Sequence, residues 1–375
     1  MKYYIIAGEA SGDLHGSNLM KALLKQDVHA SFRFWGGDLM SATSDTLVKH
    51  YRDLAFMGFA EVLMNLRTIT RNLSFCKKDI EAYQPDVIIF IDYPGFNLRI
   101  AKWAKEKGYR THYYISPQIW AWKENRIKSI KRDVDEMYVI LPFEKDFYEK
   151  KHNYPVHFVG HPTIDAIANR KQVDEYAFRV EHELNEKPII AILPGSRKQE
   201  IKKMLSVMLS VVKDYPKYQF VIAGAPSQDF SFYQQFIKSS NVKFISNKTY
   251  DLLSVSTAAL VTSGTATLET ALFKVPQVVC YKGNWISYEI GKRVINLEYI
   301  SLVNLIMDRK VVTELIQSEF NKTTLKRELD IILDPEERDK LFLNYYELEK
   351  KLGGKGASLK TATLIYKALN NKNIG

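Results

Sequence analysis

An α/β protein made of two doubly wound parallel-sheet domains is the fold class this sequence predicts, on three observations. Its 375 residues suffice for two or three domains at roughly 150 residues each. Hydrophobic residues make up 46% and charged residues 26%, the balance of a chain that buries cores rather than one kept disordered by charge. One local grammar, an apolar run followed by a loop of small residues and a helix-spaced segment, stands at the start of the chain and returns near its middle.

Taken in order, residues 3–7 (YYIIA) form a short apolar run, the pattern of a parallel strand buried on both faces. GEASGD (8–13) follows as a tight loop, and HGSNLMKALLK from His15 has apolar residues at helical spacing. FRFWG (32–36), DVIIFID (86–92), THYYIS (111–116) and MYVIL (137–141) read as further strands with helical segments between them. The grammar restarts with IIAIL from Ile189, PGSR (194–197) and the helix KQEIKKMLSVMLSVVKDY, then continues through QFVIAGAP, VKFIS, AALVTSG and PQVVCY. Between the halves, HPTIDAIANRKQVDEYAFRVEHELNEKP is charged and poor in strand signal, which places the linker near 160–187. The expected domains are 1–165 and 166–345. A helical tail, 346–375, is broken by Gly353, Gly354 and Gly356 and is expected to return to the first domain.

Lys and Arg exceed Asp and Glu by 53 to 43, so the surface field favours an anionic partner: a phosphorylated ligand, an anionic lipid or nucleic acid. Nucleic acid is the poorest fit, because no helix-turn-helix, zinc finger or RNP pattern occurs and the basic residues are not gathered in one block. Two distant cysteines, Cys76 and Cys280, offer neither a disulfide framework nor a thiolate cluster. No HExxH or histidine cluster points to a metal, and the Asp-X-Asp of RDVDE (132–136) precedes its strand, at the wrong end of the sheet. The N-terminal apolar run meets Glu9 and Asp13 before a signal-peptide core is complete. No apolar stretch reaches ~18 residues, so no spanning helix is expected.

Ligands of open α/β sheets bind beyond the carboxyl ends of the strands, where small residues let backbone N–H groups and helix N-termini approach a phosphate. That rule selects GEASGD, DYPGFN (92–97), PGSR and TSGTATLE (262–269). GEASGD lacks the third glycine of a dinucleotide fingerprint, and no P-loop exists. In TSGTATLE, Ser263, Gly264 and Thr265 precede a helix with Glu269 one turn in, placed to accept from a ribose hydroxyl; a plain capped helix start is the alternative. In PGSR, Gly195 and Ser196 lead into Arg197, which can give a diphosphate two parallel donors or stand as a surface helix-start residue. Asp92 closes its strand as a candidate general base, or as a helix cap before Pro94. His15 is a possible second base or orienting group. The stretch 54–78, with Met57, Phe59, Val62, Leu63, Leu66, Ile69 and Leu73 edged by Arg67, Arg71, Lys77 and Lys78, reads as core or as an interfacial, acyl-accepting surface.

In chain order, GEASGD, MGFAEVL, IDYPGFN, SPQIWAWK, ILPFEKDFY, VGHP, LPGSR, SGTATLE and SLVNL together resemble the lipid-A-disaccharide synthase family, inverting glycosyltransferases of the GT-B fold. The resemblance runs from about residue 3 to beyond residue 310. It implies two Rossmann-like domains facing a central cleft, and the joining of UDP-2,3-diacylglucosamine to 2,3-diacylglucosamine 1-phosphate with release of UDP. It implies Asp92 as the base, Glu9 and Ser11 as activity-linked residues of the first loop, and Arg197, Glu269 and Asn304 around the UDP-sugar. It further implies no metal or other cofactor, and a cytoplasmic protein held peripherally on an anionic membrane, the inner face of the inner membrane. Oligomeric state stays open. A UDP-N-acetylglucosamine 2-epimerase-like or soluble-sugar enzyme of the same fold is the competing reading. The chain departs from the pattern at Gly95, where many members carry a second aspartate.

Overall fold

The computed structural model describes residues 1–54, 66–225, 228–237, 241–283 and 298–370. It divides into two compact units, Met1–Ala168 joined by the chain from Leu352 onward, and Asn169–Lys351. The expected boundary at 165/166 falls inside the helix Pro162–Ala168, and the division comes at that helix's end. Likewise the helix Pro335–Lys351 runs through residue 346 and stays with the second unit.

The first unit is a seven-stranded sheet: β1 (Lys2–Ala7), β2 (Ser31–Gly36), β3 (Leu47–His50), β4 (Val87–Ile91), β5 (Thr111–Tyr114), β6 (Glu136–Val139) and β7 (His157–Phe158). They lie in the order β3-β2-β1-β4-β5-β6-β7, every neighbouring pair parallel. The two central strands pair Tyr3 with Val87 through Ala7 with Ile91 and are buried on both faces, which is why their sequences are unbroken apolar runs. Tyr4, Ile6, Ile88 and Phe90 share a core with Cys76, Ile80, Ile100 and Ile130 from the helices Leu66–Tyr83, Pro94–Glu106 and Ile127–Asp133. The opposite side meets the helix Ala10–Gln26, where glycine permits close approach. A Cβ on Gly12 would stand 3.1 Å from the Cβ of Ala7, and one on Gly16 2.6 Å from Met40 Sδ.

The final helix, Ala357–Asn370, packs on Ala10–Gln26 and Pro162–Ala168. Its start is held by Asp165, whose carboxylate accepts from the N–H of Gly356 (2.6 Å) and of Ser358 (2.8 Å). The N–H of His161 donates to the carbonyl of Leu352 at 3.0 Å, and Gly160 and Gly353 approach so closely that a Cβ on Gly353 would lie 3.1 Å from the Cα of Gly160.

The second unit is a six-stranded parallel sheet of β8 (Ile189–Leu193), β9 (Gln219–Gly224), β10 (Val242–Ser246), β11 (Ala258–Thr262), β12 (Gln277–Tyr281) and β13 (Thr313–Ile316), in the order β10-β9-β8-β11-β12-β13. All of the strands expected from the apolar runs are present. Three are additional: β3, β7 and β13, short segments at the sheet edges.

Candidate functional site

Both sheets reverse their winding order at one place. In the first, the chain leaves β1 toward β2 and β3 and later adds β4 on the other side; in the second, β8 and β11 stand in the same relation. At such switch points the two outgoing loops part and leave a crevice. The loops there are GEASGD and DYPGFN in one unit and PGSR and TSGT in the other.

In the second unit these loops enclose a pocket of about 410 Å3, lined among others by Gly195, Ser196, Arg197, Ser263, Gly264, Thr265 and Glu269. Gly195 has φ +102°, and a Cβ there would stand 2.2 Å from a carboxylate oxygen of Glu200. Glu200 accepts from the N–H of Ser196 at 3.1 Å, pinning the loop ahead of the helix Lys198–Met208. Arg197 is exposed and, among the described residues, makes no ion pair, so its fork of donors is available to an anion. The helix Thr265–Leu272 opens onto the same pocket, presenting first-turn N–H groups that have no acceptor within the helix. Glu269 accepts from the hydroxyl of Tyr250 at 2.7 Å. Burial raises its pKa, and the Tyr250 hydrogen bond opposes the rise. A second hollow of about 380 Å3, lined by Lys198, Lys202, Asp229 and Phe232 among others, shares none of these loop residues.

One expected donor contact is corrected, and a second is left with only the lone pairs of its hydroxyl. Asn304 is fully buried. Its amide donates to the carbonyl of Val312 and to Glu314, both at 2.9 Å, and its oxygen accepts from the N–H groups of Val311 (2.8 Å) and Val312 (3.0 Å). With both protons and both lone pairs engaged, nothing is left for a nucleotide. Ser263 lines the pocket, but its N–H donates to the carbonyl of Cys280 (3.1 Å) and its hydroxyl to that of Ile300 (2.8 Å). Glu314, which holds Asn304, also accepts from the N–H groups of Ile300 and Ser301, so the SLVNL segment is anchored where Ser263 meets it.

In the first unit, Glu9 and Ser11 are exposed at the start of the helix Ala10–Gln26, with Glu9 as its N-cap residue. Asp92 and Tyr93 both have left-handed backbones, φ +44° and +50°, a conformation that costs non-glycine residues about 1–2 kcal/mol each. Burial pushes the Asp92 carboxyl up to about 6, and the negative charge of Glu9 adds to the rise. The Tyr93 ring lies over Gly8, where a Cβ would come within 2.4 Å of it, so the two loops pack directly. At the carboxyl ends of β5 and β6, buried Glu144 collects donors from Ser116, Trp120 and the amides of Ile140 and Leu141, fixing the SPQIWAWK loop; burial raises its pKa to about 7.

Other candidates have structural posts. Asp13 accepts from the N–H groups of Gly37 (2.7 Å), Leu39 and Met40 (3.0 Å each). His15 is buried near Asp165, and desolvation pushes its pKa down to about 4; it does not line the loop crevice as a free base. Asp133 pairs with Arg132, and Asp135 with Lys105 and the Thr111 amide, at the amino end of the strands. Met57, Phe59, Val62 and Leu63, with the side chain of Leu66, lie outside the described residues. Leu73 packs against the core, while Phe75 is 46% exposed. Sequence reasoning missed Glu200, Thr249 and Tyr250. The run Gly195 to Glu200 held a signal for the first, since an acid at the third position of a helix often bonds back to the preceding backbone.

Two parallel-sheet α/β units with ligand loops at their switch points define a protein of the GT-B class. S. aureus MnaA, determined as a co-structure with UDP, aligns with TM-score 0.70 at 14% identity, over 98% of this chain and 97% of that one; at that identity the likeness is one of fold. The family model described as lipid-A-disaccharide synthetase matches residues 3–365, and the chain belongs to that family of glycosyltransferases of lipid A biosynthesis. Lipid-A-disaccharide synthases of Geobacter metallireducens and Syntrophus aciditrophicus are each 38% identical to it, over 98% and 96% of this chain and 97% and 96% of theirs. Family membership favours the transferase reading over the epimerase-like alternative. Among the described residues, no helix is long and apolar enough to cross a membrane.

Proposed function

We propose that this chain condenses UDP-2,3-diacylglucosamine with 2,3-diacylglucosamine 1-phosphate, giving the disaccharide 1-phosphate and UDP. The observation that carries the mechanism is Asp92, a carboxylate at the switch point of its sheet with its pKa lifted toward the working range of a general base. A carboxylate oxygen of Asp92 takes the proton of the acceptor 6-hydroxyl as the hydroxyl oxygen forms its bond to the anomeric carbon of the donor sugar. The bond from that carbon to the UDP oxygen breaks, UDP leaves with the electron pair, and the centre inverts. Glu9 and Ser11 complete the acceptor side, Glu9 also keeping Asp92 basic. On the donor side Arg197 and the amides around Gly195, Ser196, Gly264 and Thr265 carry the diphosphate charge, and Glu269, oriented by Tyr250, accepts from a ribose hydroxyl. This donor set carries the growing charge on its own, so no metal is required.

We further propose peripheral contact with an anionic membrane on its cytoplasmic face. Exposed Phe75 and Trp122, with exposed Arg67, Arg71, Lys78, Lys128 and Lys131, support it: they lie on or next to helices that pack in series along one layer of the first unit. Aromatic rings edged by basic residues suit a lipid headgroup layer.

The test is incubation with the two acylated sugars and mass detection of the disaccharide and UDP. Asp92→Asn should lower turnover by about 10²–10⁴-fold while UDP affinity holds. Arg197→Ala should weaken UDP binding by about 10–100-fold, the value of a charged hydrogen bond. Activity should persist in a chelator. An active Asp92→Asn enzyme removes the base assignment.

A further inference from the structure

We propose that Tyr113 and Asn97 are positioning residues for the reaction: together they hold the strained backbone at Asp92 that presents its carboxylate. The inference rests on the assignment of Asp92 as the base. Two consecutive non-glycine residues in the left-handed region persist only where surrounding groups over-determine them, and here the groups can be named. The carbonyl of Asp92 accepts from the Tyr113 hydroxyl at 2.6 Å and from the Asn97 side-chain amide at 2.7 Å. The N–H of Asp92 donates to the carbonyl of Tyr114 at 3.1 Å. The residue is therefore fixed from both sides of its own Cα.

Each side chain makes its shortest hydrogen bond to the Asp92 carbonyl. Tyr113 is fully buried on β5, and its hydroxyl donates to that carbonyl. Asn97, also fully buried, turns its amide nitrogen toward three carbonyls in reach, those of Asp92, Ile91 (3.3 Å) and Ile6 (3.4 Å). Its oxygen stays buried without a partner. A buried unpaired oxygen is normally selected against, and its presence here goes with an amide oriented to serve the ends of β1 and β4, the two strands that frame the switch point. Relaxing Asp92 to an ordinary backbone would swing the carboxylate away from its place at the strand end.

Tyr113→Phe removes one hydroxyl and leaves the ring against Phe90, so folding should survive. The purified full chain is assayed for kcat, acceptor KM and UDP affinity, beside Asn97→Ser, Asn97→Ala and Asp92→Asn. A fall in kcat of about 10-fold or more, with acceptor KM and UDP affinity within about 3-fold of wild type, is the expected result for Tyr113→Phe. Asn97→Ser, which keeps a short donor, should fall less than Asn97→Ala. Wild-type kcat in Tyr113→Phe, or a parallel loss of kcat and UDP affinity, overturns the proposal. If Asp92→Asn is inactive while Tyr113→Phe is fully active, only the positioning role fails. If Asp92→Asn is active, the base assignment fails and takes this role with it.

Discussion

Asp92 shows how one side chain's surroundings bear on stability and, as the proposed base, on rate. Its pKa is raised to about 6, first by burial and then by Glu9. A folded-state pKa above the unfolded value near 3.9 means that the native protein holds this proton more tightly. The associated stability is complete below pH 4 and is lost as pH rises to about 6. Asp92→Asn should therefore melt higher than wild type at pH 8 and level with it at pH 4, which thermal denaturation at the two pH values checks. The acidic limb of kcat/KM in the wild type should lie near pH 6 and move to lower pH in Glu9→Gln, because a neighbouring negative charge is gone; a limb that stays put would separate Glu9 from the base. Gly95, where the family often has a second aspartate, has no atom within 4 Å of a built Cβ, so the missing acid is not a matter of space.

At the scale of elements, the segment most dependent on a distant residue is the final helix. Asp165 and Gly356 are 191 positions apart, yet the carboxylate of one supplies the acceptors that the helix start lacks. Asp165→Ala leaves two amide donors unpaired and should cost about 2 kcal/mol. Hydrogen exchange should show it as faster exchange confined to 357–370 and the adjoining first helix, with β8 to β12 unchanged; uniform acceleration would mean that the whole chain had been destabilised. The strands were legible in the sequence where both faces are buried, as in VIIFI and IIAIL, since a parallel strand between two helical layers has no polar side. β3, β7 and β13 were not, because LVKH, HF and TELI are short edge segments whose partial exposure mixes polar with apolar residues. The loops that line the pocket of the second unit were legible because small residues before a helix have a local cause. Glu200, which bonds back only four residues to Ser196, had a local signal as well; Tyr250 and Glu314 had none, because their roles exist only through partners the fold delivers.

For the molecule as a whole, the formal charge of +10 and the basic helix layer of the first unit bear on membrane contact. Each exposed Lys or Arg near an anionic surface contributes about 1 kcal/mol, an interaction that fades within a Debye length of roughly 10 Å at 0.1 M salt. Binding to vesicles containing phosphatidylglycerol should thus fall steeply between low and 0.5 M salt, and Lys128→Glu with Lys131→Glu should weaken it further. Sedimentation with vesicles measures both, and salt-independent binding would assign the contact to apolar residues alone.

The sequence by itself determined the α/β class, the central strands, the small-residue loops at the strand ends and the family, because each is written in patterns a few residues long or in motifs kept in order. Tertiary structure alone decided which of those residues are free to act. It left Arg197 open, engaged every hydrogen-bonding group of Asn304, sealed His15 inside, and bent Asp92 into a strained backbone beside Glu9. Availability depends on what occupies a side chain's donors, acceptors and surrounding space, and those occupants come from parts of the chain that only folding brings together.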